Sequence, residues 1–114
     1  MEELGIAAMY DIPIIFIIID NGYLSLIRQQ EKYLYNMDST YYEVSTWYRG
    51  QLVDFSHLNK VYGVYAERVD KPSEIQPAFQ RAIDAKKAAI IDIIVERETD
   101  ASMGTSLDNI VIRE

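Results

Sequence analysis

The sequence predicts an α/β fold: part of a doubly wound parallel sheet, about three strands with flanking helices. Three observations carry this. Ile14-Ile15-Phe16-Ile17-Ile18-Ile19 is β-branched or aromatic throughout and does not alternate with polar residues, the pattern of a strand covered on both faces. The run from Ala89 to Val95 is again rich in isoleucine. Stretches of helical periodicity lie before and between these runs, and strands that alternate with helices imply a parallel sheet built from βαβ units.

The elements follow in order. Glu2 to Tyr10 reads as a short helix with Leu4, Ala7 and Ala8 on one face. Asp11-Ile12-Pro13 stops it, because the residue before a proline avoids the helical region. The first strand covers residues 13–20, the most buried of the sheet, and Asp20-Asn21-Gly22 ends it. Tyr23 to Tyr33 looks helical, with Leu24, Ile27 and Leu34 along one stripe. Residues 35–50 read as a long loop with room for a short helix. Residues 33–50 hold five tyrosines and the only tryptophan, Trp47. Such a density of aromatics, Tyr41 and Tyr42 among them, suits either a partner surface or the domain's own core.

Asp54 is placed to cap a helix from Phe55 to Tyr62, with Gly63 as its stop. A second strand covers residues 64–69. Lys71-Pro72-Ser73 opens another helix, with Ser73 as cap and Gln76 completing a capping box. Ile75, Phe79 and Ile83, with Ala78 and Ala82, supply its apolar face. The third strand covers residues 89–95, and a polar tail follows from Glu96.

Composition excludes several kinds of function. The chain has 114 residues, 49% of them hydrophobic, which suits one compact domain or part of one. The formal net charge of -7 argues against a general nucleic-acid surface. With no cysteine there is no disulfide, thiolate nucleophile or zinc-thiolate site. His57, the one histidine, cannot build a metal cluster and reads as a surface or core-edge residue. The longest apolar run, Ile12 to Ile19, is far short of the roughly 20 residues that span a bilayer. Met1-Glu2-Glu3 is acidic where a secretory signal is basic. The expectation is a soluble cytoplasmic chain without a membrane or nucleic-acid partner.

The chemistry-bearing candidate is the end of the first strand. In open α/β sheets ligands bind at the carboxyl ends of the strands. Asp20-Asn21-Gly22-Tyr23 offers a carboxylate, an amide oxygen, a flexible glycine and main-chain carbonyls there, and oxygen ligands of this kind suit Mg²⁺. The helix that follows directs its N-terminus at the same place, which favours an anion such as a diphosphate. On spacing alone, the same three residues read first as an ordinary turn.

The wider sequence narrows this. Ile19-Asp20-Asn21-Gly22-Tyr23-Leu24-Ser25-Leu26-Ile27-Arg28-Gln29 resembles the close of the thiamine-diphosphate motif, which opens with Gly-Asp-Gly and ends roughly thirty residues later with Asn-Asn. Asn36-Met37-Asp38, the stretch from Lys71 to Phe79, and the tail Ser102-Met103-Gly104 with Leu107-Asp108-Asn109 are similar to glyoxylate carboligases within that family. Tyr23 to Gln29 is similar to acetohydroxyacid synthases as well, which carry a substrate-selecting tryptophan where this chain has Gln30.

The resemblance implies the C-terminal half of a pyrophosphate-binding domain over residues 1–95, with 96–114 as a tail. It implies that Asn21 holds Mg²⁺ by its side chain and Tyr23 by its carbonyl. Gly22, Leu24 and Ser25 would then meet the diphosphate of thiamine diphosphate, and Leu26 and Gln30 would face a small 2-oxo acid. Asp20 stands where the first Asn is usual. The Gly-Asp-Gly half would precede Met1, and active sites of this kind form between two chains of a homo-oligomer. No catalytic residue is therefore assigned, and the isolated chain is expected to be inactive. Two other readings stay open: another enzyme of the superfamily, such as an acetohydroxyacid synthase, and a non-catalytic α/β interaction module.

Overall fold

The computed structural model describes residues 2–22, 24, 27, 35–36, 47–48 and 51–95. The expectations placed on Tyr23 to Tyr33 as a helix, on Tyr41 and Tyr42, and on the tail lie outside the described residues. The chain divides into two compact units, one formed by residues 1–20 and 54–95, the other by 21–53 and 96–114.

The first unit is a three-stranded parallel sheet: β1 (Ile15–Asp20), β4 (Tyr65–Val69) and β5 (Ala89–Ile94), in the order β1-β5-β4. Helix α1 (Glu2–Met9) precedes β1, a 3-10 turn (Phe55–Leu58) leads into the short α2 (Asn59–Tyr62), and α3 (Pro72–Asp84) connects β4 to β5. In the second unit, β2 (Trp47–Tyr48) and β3 (Gln51–Leu52) pair antiparallel, Trp47 opposite Leu52. The first strand of this pair falls within residues 35–50, the stretch expected to be a loop, and the second lies just beyond it.

Helices cover both faces of the sheet, as the isoleucine runs predict. On one face Ala78 and Ala82 of α3 close over Val69, Ala89, Ile91 and Ile93. On the other, Leu4 and Ala7 of α1 pack with Val64, Ala88 and Ile90. The small alanines let the helices approach the sheet closely, and the β-branched strand residues fill the space between.

One expectation is corrected. The most buried strand is β5, not β1: β5 lies between two neighbours, and Ala89 to Ile93 are all buried. Among the described strands β1 lies at one edge, with Ile17 46% and Ile19 63% exposed. Both runs are continuously apolar, so composition alone does not separate a central strand from an edge.

The helix ends also differ from expectation. α1 stops at Asp11, which takes the left-handed conformation (φ 52°). The Ile12 N–H donates to the Ala7 carbonyl at 2.9 Å and the Asp11 N–H to that of Ala8 at 3.5 Å, the pattern of a Schellman cap with aspartate in glycine's usual place. Gly63 ends α2 at φ 68°, as read from the sequence. Ser73 does not cap α3. Pro72, with φ already set for a helix, occupies the first turn, Lys71 is the capping residue without a side-chain bond, and the capping box is not formed. Ile83, assigned to the apolar face of α3, is 53% exposed.

No helix among the described residues is long and apolar enough to cross a membrane. Because Ile91 is fully enclosed, Ile91→Ala should cost about 2 to 5 kcal/mol of stability. Ile17→Ala, at the exposed edge, should cost well under half of that in the same urea titration. Equal costs would contradict the assignment of β5 as the core strand.

Candidate functional site

Strand parity gathers Asp20, Arg68 and Asp92 on one face of the sheet and leaves Glu67 on the other. Side chains alternate along a strand, so Asp20 shares the face of Phe16 and Ile18, Asp92 that of Ile90, and Arg68 that of Ala66. The register sets Arg68 beside Asp92, and Asp92 beside Ile18. The result is a cluster toward the carboxyl ends of the strands, on the α1 face.

Arg68 is its centre. Its Nε lies 3.5 Å from Asp92 Oδ2, Nη1 3.6 Å from Asp54 Oδ2, and Nη2 3.7 Å from Asp20 Oδ2. A planar guanidinium can address several carboxylates at once, which an ammonium cannot do from one position. Asp54 caps the 3-10 turn as predicted: its Oδ1 accepts the Ser56 N–H at 2.9 Å and also the Ser56 hydroxyl. The Phe55 N–H donates to Asp92 Oδ2 at 3.1 Å, tying that turn to β5. His57 is on the surface, 3.8 Å from Asp54, in keeping with the sequence reading.

These surroundings shift the acids in opposite directions. Burial pushes Asp92 up to about 6, and the negative Asp20 and Asp54 add to this against the pull of the Phe55 N–H and Arg68. Asp92 Oδ1 is buried without a hydrogen-bond partner, so its charged form is poorly compensated. At Asp54 burial also acts upward, but the Ser56 bonds, Arg68 and His57 outweigh it and hold the carboxyl below its ordinary value. No group of three or more His, Cys, Asp or Glu among the described residues could hold a metal ion; here the guanidinium is the cation that the carboxylates share.

The residues singled out as ligand-binding follow directly after β1. Asn21 is half-buried and Gly22 is buried, with φ 71°, a conformation that suits glycine. Leu24 is 40% exposed. Tyr23, Ser25, Leu26 and Gln30 lie outside the described residues. The donor chemistry fits the expected group in part: Asn21 carries a hard amide oxygen of the kind Mg²⁺ takes. Asp20, which brings formal charge, is 3% exposed and faces Arg68, so its carboxylate is engaged within the sheet.

The sequence reading did not single out Arg68 or Asp92. The available signal was one aspartate inside Ala89-Ile90-Ile91-Asp92-Ile93-Ile94, since a charge in a fully buried strand requires a partner.

The fold is a parallel α/β sheet with Asp20-Asn21-Gly22 at the carboxyl end of its first strand, where open α/β sheets bind their ligands. Residues 1–93 match the family described as thiamine pyrophosphate enzyme, C-terminal TPP binding domain, and the chain belongs to it. The chain is 34% identical over 119 residues to glyoxylate carboligase of Escherichia coli O157:H7, covering 97% of this chain and 20% of the relative. It is 34% identical over 100 residues to acetolactate synthase of Arthrospira platensis, covering 88% and 17%. It is 32% identical over 92 residues to the acetolactate synthase large subunit of Pyropia yezoensis, covering 81% and 15%. The chain thus spans a fifth or less of the length of these relatives.

The cluster makes stability depend on pH. Asp92 holds its proton more tightly folded than unfolded, where its ordinary value is 3.8. Its contribution is therefore fully present below about pH 4 and is lost as pH rises through about 6. Asp92→Asn should remove that fall, measured by urea titration from pH 4 to 8, and leave the chain at least as stable at neutral pH. Arg68→Met leaves buried carboxylates without their cation and should cost about 3 to 5 kcal/mol at neutral pH.

Proposed function

We propose that the chain is the metal-diphosphate part of a thiamine-diphosphate-dependent carboligase that converts two glyoxylates and a proton to tartronate semialdehyde and CO₂. One observation carries the reading: Asp20-Asn21-Gly22 stands at the carboxyl end of β1 in a chain 34% identical over nearly its whole length to a glyoxylate carboligase. In this reading the Asn21 amide oxygen and the Tyr23 carbonyl hold Mg²⁺. Gly22, Leu24 and Ser25 present main-chain N–H groups to the diphosphate, and Leu26 and Gln30 line the pocket for the 2-oxo acid. When bound, thiamine diphosphate supplies the carbon that adds to the substrate and the electron sink for loss of CO₂. Arg68 keeps the Asp20 carboxylate within the sheet and so fixes the residue from which Asn21 follows. The working enzyme is a cytoplasmic homo-oligomer with sites shared between two chains.

The acetolactate synthases share as much identity, so substrate choice is the point to test. Exchange of residues 1–93 into the Escherichia coli relative should leave glyoxylate condensation in place, and Asn21→Ala in that hybrid should weaken Mg²⁺-dependent activity at least about tenfold. A hybrid that condenses pyruvate in preference to glyoxylate would assign the chain to the acetolactate synthases instead.

The isolated chain should have no carboligase activity and should not saturate with micromolar thiamine diphosphate and Mg²⁺. Octahedral Mg²⁺ needs six ligands, of which Asn21 and Tyr23 supply two, and misplaced substrates alone cost orders of magnitude in rate. Calorimetric titration checks this. Micromolar binding that disappears in Asn21→Ala would show a complete site in these 114 residues.

A further inference from the structure

The chain carries four asparagines, Asn21, Asn36, Asn59 and Asn109, and of these Asn21 alone is followed by glycine. That pairing has a chemistry of its own. The main-chain nitrogen of the following residue can attack the asparagine side-chain carbonyl carbon and close a five-membered imide. A side chain on the following residue shields that nitrogen and narrows its backbone conformations, and glycine does neither. Asn36 is followed by Met37 and Asn109 by the β-branched Ile110. Asn59 is the first residue of α2, where its carbonyl accepts the Gly63 N–H at 2.8 Å and the helix fixes the nitrogen that follows.

The fold leaves Asn21 where the ladder stops. The Val95 N–H donates to the Asp20 carbonyl at 3.0 Å, and β1 ends at Asp20. The Asp20 side chain is 3% exposed, with Arg68 at 3.7 Å, so the chain is held up to that residue. Asn21 and Gly22 follow outside the strand. Gly22 takes φ 71°, in a region that residues with a Cβ seldom enter. Asn21 is half-buried.

We propose that Asn21-Gly22 is a self-modifying site: in the cofactor-free chain the Gly22 nitrogen displaces ammonia from the Asn21 side chain. The step balances with water alone. The Gly22 nitrogen forms a bond to Asn21 Cγ and gives up its proton, the Cγ–Nδ2 bond breaks, and Nδ2 leaves with that proton as ammonia. Water then opens the imide at either carbonyl, giving aspartate or isoaspartate. Both products add a negative charge next to Asp20, and isoaspartate also lengthens the main chain by a carbon atom. The consequence rests on the proposed function, in which the Asn21 amide oxygen and the Tyr23 carbonyl hold Mg²⁺. Lengthening the chain between them breaks the geometry that octahedral Mg²⁺ demands, so the cofactor loop ages when it stands empty.

Peptide mapping by mass spectrometry tests this on the purified chain, incubated at mildly alkaline pH with and without urea. Residue 21 should gain about one mass unit as NH₂ is exchanged for OH, divided between aspartate and isoaspartate, before Asn36, Asn59 or Asn109 changes. The native chain should react within about tenfold of the rate in urea, because the strand ends before the reacting nitrogen. Gly22→Ala should slow the reaction at residue 21 at least about tenfold in urea, where strain at the native turn plays no part. Asn21→Gln, which has a larger ring to close, should stay unchanged over the same interval. A native chain that keeps Asn21 intact while the chain in urea loses it overturns the proposal, and so does earlier reaction at another asparagine. The modification is read by mass and stands apart from the cofactor reading. A hybrid enzyme that keeps its Mg²⁺-dependent activity after Asn21 has been converted would overturn the consequence for the metal site and leave the modification standing.

Discussion

The Asp92–Arg68 pair is the constraint around which the first unit is arranged. A carboxylate in the middle of a fully enclosed strand is costly unless a cation and hydrogen bonds meet it. Arg68 reaches it only because β4 lies beside β5 in a register that places the two residues together. The same guanidinium touches Asp20 at the end of β1 and Asp54 at the start of the 3-10 turn. One side chain thus fastens three segments that are remote in sequence, and the Phe55 N–H adds a fourth attachment to Asp92. Slippage of β4 by one residue would move Arg68 to the opposite face and leave three acids without their common cation.

Much of the fold was legible because isoleucine runs, proline and glycine act locally. The three strands, the helix α1, the Asp54 cap and the Gly63 stop all follow from residues within a few positions of one another. What depends on distant partners was not legible. Ile14 to Ile19 and Ala89 to Ile94 have the same character, and only the sheet order makes one an edge and the other the centre. Ser73 and Gln76 have the spacing of a capping box, but Pro72 had already set the start of the helix. The resemblance across Asp20 to Gln29 located the candidate cofactor loop. It could not show the charged cluster beside it, since Arg68 and Asp92 come together only through strand pairing.

Asp20 illustrates how the two levels combine. Read along the chain, it is the first residue of a loop and a departure from the usual asparagine. Read in the sheet, it is a buried acid facing Arg68. Its charge therefore belongs to the electrostatics of the strands and is met there before any ligand approaches Asn21. An aspartate at this position is tolerable where an arginine stands on the same face of the sheet, and would be costly where it does not.

The strand order has a consequence for how the sheet is assembled. β4, α3 and β5 run consecutively from Tyr65 to Ile94, so this βαβ unit closes a short stretch of chain. β1 joins β5 only across the whole interval from Asp20 to Ala89, and its entropy of closure is correspondingly larger. The local unit has the contacts to form first, with β1 arriving on a surface already made. The order of opening is the reverse: among the described strands β1 and β4 each have one neighbour, but β4 is also tied to β5 through α3, so the first strand to peel away in the native state should be the one that carries Asn21 at its end. On the proposed function, ligand affinity at that loop would then be coupled to the attachment of a single strand.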